Sequence, residues 1–123
     1  MSAIIDDKGN ITLVQGDSCV YGVTGLPIDK NYTAHFEVRD NKRKTVGQQI
    51  TVATNYSTYI EFVLLGEFTD LLTVKKDEDT AEYYFSIKLC SKNPDREETL
   101  LINDNQIGDE NTITVYPKKV EGI

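Results

Sequence analysis

Apolar and polar residues alternate along much of this chain with a period of two. That spacing turns one face of a β-strand into a core and leaves the other in water. Thr33–Arg39 reads TAHFEVR, with Ala34, Phe36 and Val38 on one face and His35 and Glu37 on the other. Thr58–Leu64, TYIEFVL, sets Ile60, Phe62 and Leu64 against Tyr59 and Glu61. Glu82–Cys90, EYYFSIKLC, turns Tyr83, Phe85, Ile87 and Leu89 inward and Tyr84, Ser86, Lys88 and Cys90 outward. Gln49–Thr54 and Thr112–Tyr116 alternate through Ile50 with Val52 and through Ile113 with Val115. Ile11–Asp29, ITLVQGDSCVYGVTGLPID, reads as strands broken by tight turns. These segments are rich in β-branched and aromatic residues, which suit a half-buried pleated surface.

Turn residues separate the strands. Gln15-Gly16-Asp17 and Gly25-Leu26-Pro27 flank the second strand, Asp40-Asn41-Lys42 follows the third, and Asn55-Tyr56-Ser57 follows the fourth. Ser91–Asp95, SKNPD, follows the Tyr83–Leu89 strand, and Pro94, with no N–H for a ladder, belongs in that loop. Short strands at this spacing predict an all-β fold, a two-sheet antiparallel β-sandwich of about eight strands, Ig-like or jelly-roll-like. One segment departs from the pattern. Leu64–Val74, LLGEFTDLLTV, places Leu65, Phe68, Leu71 and Leu72 at helical spacing. It predicts one short helix near residues 64–73 that crosses between sheets, with a loop pinned by apolar anchors as the alternative. Lys75–Thr80, KKDEDT, is a charged, exposed connection. The expected organisation is a flexible N-terminus over 1–8, a single domain over 9–118 and a flexible tail over 119–123.

Composition narrows the partners. A chain of 123 residues supports one core, and its 39% hydrophobic content is too high for a disordered chain. A formal charge of −7 disfavours nucleic acid, whose binders need cations to displace counterions, and disfavours anionic membrane surfaces. The longest apolar run, Phe62–Leu65, falls far short of the ~20 residues that span a bilayer. The opening residues MSAIIDDKGN lack a basic region followed by an apolar stretch, so no signal peptide is expected. Cys19 and Cys90 form no C-x-x-C pair, and two thiols in a reducing cytoplasm are expected, although a bridge is geometrically conceivable.

Candidate chemistry is sparse. His35 is the only histidine; Glu37 shares its face, but a general base also needs a nearby nucleophile. No G-x-S-x-G, P-loop or H-E-x-x-H pattern occurs, so no enzyme is expected. Asn103–Asn111, NDNQIGDEN, resembles a calcium loop in composition. It fails the EF-hand template, because Ile107 precedes Gly108 and no glutamate closes the loop. No cofactor is expected; if calcium binds anywhere, the 103–111 loop is the place. Asp77, Glu78 and Asp79 read as a solvated acidic patch, and the N-x-[ST] triplets at Asn10, Asn31 and Asn55 as products of composition. Seven tyrosines and no tryptophan point instead to a binding surface, because tyrosine is enriched at protein interfaces. Tyr56, Tyr59, Tyr84 and Tyr116 fall on loops or outer faces. Lys42-Arg43-Lys44, beside the third strand, reads as a solvated turn, with protection of a sheet edge or docking on an acidic neighbour as the alternatives. The candidate interface residues are Tyr59, Tyr84, Lys42 and Arg43.

The order and spacing of several segments carry a resemblance. They are Gln15-Gly16-Asp17, Leu26-Pro27-Ile28-Asp29, Ala34–Arg39, Glu82–Leu89, Glu98–Leu101 and Thr112–Pro117. Over residues 9 to 118 the chain resembles the small β-sandwich domain at the N-terminus of the baseplate upper protein of tailed bacteriophages. Where that family commonly reads L-T-G after P-I-D, this chain has Lys30-Asn31. The resemblance implies a structural virion component, made in the host bacterial cytoplasm. Its implied role is a tail or baseplate connector or decoration subunit that binds other virion proteins. Copies are expected to associate by symmetry, as a homo-oligomer or a ring. The chain ends just after the sandwich, so no receptor-binding or trimerising extension is expected. A carbohydrate-binding or adhesin module, and a head–neck or capsid decoration subunit, are the alternatives.

Overall fold

A computed structural model describes residues 3–93, 96–101 and 111–118 of the chain. Among these the chain is almost wholly β. Its strands are β1 (Ile4–Ile5), β2 (Ile11–Val14), β3 (Cys19–Val23), β4 (Thr33–Arg39), β5 (Ile50–Ala53), β6 (Ile60–Leu64), β7 (Ala81–Asn93), β8 (Arg96–Leu101) and β9 (Asn111–Tyr116). The single helix, α1 (Gly66–Thr69), is one turn long. No helix among the described residues is long and apolar enough to cross a membrane.

The strands form two layers. A seven-stranded sheet runs in the order β1-β2-β9-β7-β4-β5, with β8 also paired to β7, and β3 and β6 make a separate two-stranded ribbon. β7 is the spine. One edge pairs with β4, from Arg39↔Tyr84 to Thr33↔Cys90. The other edge pairs first with β9 and then with β8. β2 lies parallel to β9, with Ile11 opposite Ile113, so segments far apart in sequence close the domain.

Aromatic side chains join the layers. Phe36 of β4 stacks on Phe85 of β7 at 4.8 Å between ring centroids, and meets Phe62 of the ribbon at 5.3 Å. Tyr21 of the ribbon stands edge-on to Phe85 at 5.3 Å. Ile11, Leu13, Ala34, Leu64, Leu89, Ile113 and Val115, all buried, continue this core. Each comes from a strand whose alternation points it inward, which is why the period-two pattern was readable.

The turn that sends the chain from the large sheet to the ribbon is fixed by chemistry. Asp17 N–H donates to Val14 O at 3.0 Å, with Gly16 at φ +88°. This is a type II turn, which demands a positive φ at its third residue. A side chain there would also strike Lys118, its Cβ 2.5 Å from Cε. The same turn seats the helix: Thr69 Oγ1 donates to Asp17 O at 2.8 Å, and Gln15 Nε2 to Asp70 O at 2.8 Å. Lys118 Nζ meets Asp70 Oδ1 at 2.7 Å.

Several expectations need correcting. Strand pairing begins at Ile4, opposite Thr12, upstream of the boundary drawn at residue 9. Cys90 is buried, not outward. It lies on an interior strand, paired with Thr33 of β4 on one edge and Thr99 of β8 on the other. β7 also runs on through Ser91 to Asn93, into residues read as a turn, because β8 returns alongside it. Of the four residues at helical spacing, Leu72 is buried and Phe68 half-buried, but Leu65 and Leu71 are exposed. A single turn has no continuous apolar stripe, and Leu65 precedes it in extended conformation. The calcium-like segment, save Asn111, and the tail 119–123 lie outside the described residues.

Phe36→Ala removes the ring that touches both layers. It is expected to cost about 3–5 kcal/mol of stability, read from the urea midpoint at unchanged m-value.

Candidate interaction surface

The ribbon has a packed face and a free face. Cys19, Tyr21, Ile60, Phe62 and Leu64 point into the core. The residues between them point out: Val20 and Gly22 on β3, Glu61 and Val63 on β6, with Tyr59 and Leu65 on either side. Val20 stands directly opposite Val63 across the two strands. Their exposures, 48% and 47%, together with 59% for Leu65 and 46% for Tyr59, make one apolar strip on the water side. Scattered apolar residues are ordinary on protein surfaces, whereas a grouped set marks a contact site.

Tyr59 is held in place on this strip. Its ring lies over Gly22, so close that a Cβ on Gly22 would come within 2.7 Å of the Tyr59 hydroxyl. Gly22 pairs with Glu61, which makes Tyr59 its diagonal cross-strand neighbour. The Tyr59 phenol is pushed above its ordinary titration range, chiefly by its hydrogen bond to the Glu61 carboxylate, whose charge adds to the effect.

A second group of polar residues occupies the outer face of the large sheet. Glu37, on β4, is the acceptor for three donors: Thr45 Oγ1 and Gln49 Nε2, each at 2.8 Å, and Arg39 Nε at 3.1 Å. Partial burial favours the protonated carboxyl, but the three hydrogen bonds and the Arg39 charge outweigh it and hold Glu37 below the ordinary glutamate range. His35 shares the face without pairing to Glu37, and its buried Nδ1 has no hydrogen-bond partner among the described residues. The three hydrogen bonds tie the Glu37 carboxylate to Arg39, Thr45 and Gln49, none of them to His35.

The four candidate interface residues do not form one surface. Tyr84 is half-buried opposite Arg39, its hydroxyl donating to Glu82 Oε1 at 3.1 Å. Lys42 and Arg43 are exposed on the turn just past Arg39, so these three gather at one end of the large sheet. That turn is built by Asp40, whose Oδ1 accepts from the backbone N–H groups of Lys42 and Lys44, and Arg43 takes φ +64° there. Tyr59 lies on the ribbon, in the other layer. The sequence reading missed Val20, Val63 and Leu65. The signal was present: Phe62–Leu65 is apolar at every position, and alternation can bury only half of such a run.

Comparison of the chain with protein-family models finds no match, and comparison with curated proteins finds none either.

Two outcomes are expected. Because Glu37 titrates lower folded than unfolded, it adds stability above the ordinary glutamate range, and this is lost as pH falls through its lowered value. Glu37→Gln should therefore show a smaller fall in urea midpoint between pH 6 and pH 3 than the parent chain. Glu61→Gln should lower the titration midpoint of the Tyr59 phenol, followed by NMR of ring-labelled tyrosine.

Proposed function

We propose that this chain is a structural component of a bacteriophage virion, a tail or baseplate connector or decoration subunit that acts by protein–protein contact. The observation that carries the contact reading is the apolar strip Val20, Val63, Leu65 and Tyr59 on the free face of the ribbon. Side chains of this kind stay in water at a cost in solubility, and a protein partner that covers them recovers their burial. Lys42, Arg43 and Tyr84 give a second, polar contact at the far layer. The virion assignment rests on the resemblance carried by Gln15-Gly16-Asp17, Ala34–Arg39, Glu82–Leu89 and Thr112–Pro117. These segments supply the turn that seats α1 and the strands β4, β7 and β9, the parts on which the domain is built. The partners are other virion proteins, with copies arranged by symmetry. We further propose that the two layers constitute an Ig-like or jelly-roll-like β-sandwich, a reading supported by the aromatic contacts between them.

A carbohydrate-binding module is the second reading, favoured by Tyr56. This ring is 61% exposed on a turn where its own φ is +58°, a conformation that bulky residues seldom adopt. A glycan array without hits would remove it.

Mass spectrometry of purified phage particles, with tails separated from heads, tests the main reading. Peptides of this chain at stoichiometric ratio to tail proteins are the expected result. Peptides confined to heads would move the assignment to a head–neck or capsid decoration subunit. Their absence from particles would overturn the virion role.

A further inference from the structure

The charges around the apolar strip specify what covers it. We infer that the free face of the ribbon docks a partner protein that presents an apolar strip bordered by lysines or arginines, and not a second copy of this chain. This rests on the protein-contact reading above and adds the chemistry of the partner.

The face is built from residues 17–23 and 59–70. Together they contain Asp17, Glu61, Glu67 and Asp70 and no lysine, arginine or histidine. Glu61 stands on the strip itself, exposed between Tyr59 and Val63, and Glu67 is exposed just beyond Leu65. Asp70 is met by Lys118 from the end of the large sheet. Glu61 and Glu67 are thus the charged side chains that these two segments expose along the strip and just beyond it.

Two copies joined face to face would form an isologous contact, in which each residue meets its own surroundings again. Val20 and Val63 would be buried at the expense of crowding four carboxylates into one drying seam. Like charges brought together out of water oppose association. A basic border on the partner reverses the sign of that interaction. The net charge of −7 also draws such a partner in from a distance. The ring of Tyr59, fixed over Gly22, is the anchor of the apolar part.

Two synthetic strand peptides of equal length test this, one alternating valine with lysine and one alternating valine with glutamate. Each is titrated into the ¹⁵N-labelled full chain and followed by amide shifts. The lysine peptide should move amides of β3 and β6, about five-fold or more weaker at high salt than at low salt. The glutamate peptide should leave them in place. Val63→Lys, an outward substitution, should abolish the response while amides of the large sheet keep their positions. Ribbon amides unmoved by the lysine peptide would overturn the inference. Equal response to both peptides would also overturn it, while leaving protein contact by this face intact. Sedimentation showing self-association of the parent chain that Val63→Lys abolishes would assign the face to a second copy and overturn it as well. The particle experiment decides the virion reading independently of all three.

Discussion

The ribbon of β3 and β6 exists because its inner face lies on the aromatic rings of the large sheet. A two-stranded ribbon by itself is marginal in water, since its few backbone hydrogen bonds do not offset the entropy of ordering it. Here Phe62 and Tyr21 reach Phe36 and Phe85, and those two stack on each other across β4 and β7. Each aromatic pair adds about 0.5–1.5 kcal/mol beyond the area it buries. The turn at Gly16 and the seat of α1 then fix how the chain enters and leaves the ribbon. With the inner face carrying the contacts to the large sheet, the outer face answers to fewer packing demands, that of Tyr59 over Gly22 among them.

The two outer surfaces answer that freedom differently. The back of the large sheet is polar, and the Glu37 and Asp40 carboxylates there are engaged within the chain. Glu37 gathers Arg39, Thr45 and Gln49, and Asp40 closes the basic turn on its own side chain. A partner's hydrogen bond to either carboxylate must first break one already made. The ribbon presents the reverse case. Val20, Val63 and Leu65 satisfy nothing within the chain and lose nothing when covered.

Much of the fold was legible because strand alternation reports burial directly. Thr33–Arg39 keeps the bounds and faces read from it, and the inward residues of β6 and β7 up to Leu89 are those the pattern named. The reading failed where neighbours, not period, decide exposure. Cys90 is buried although Lys88, two residues earlier on the same face, is exposed, a difference that the alternation does not carry. β7 runs to Asn93 because β8 returns alongside it, a pairing that the local turn residues do not disclose. The surface was harder still. Tyr59 was visible as an outward ring, but its companions Val20 and Val63 become significant only once β3 is known to lie beside β6. Tyr84 pairs with Arg39, and Lys42 and Arg43 lie on the turn just past it, so these three belong to the large sheet while Tyr59 belongs to the ribbon.

Tyr59 serves both the packing of the ribbon and its free face. Its ring fills the hollow left by Gly22, which suits a strand whose glycine would otherwise expose backbone. The ring lies against Gly22 while the residue as a whole stays 46% exposed. A side chain already fixed by its own domain has less rotamer freedom to lose on association. The same contact that completes the ribbon thus prepares the surface beside Val20 and Val63 for a partner. Rigidity on the free face is then a consequence of packing within the sheet, and the anchor requires no rearrangement when it is covered.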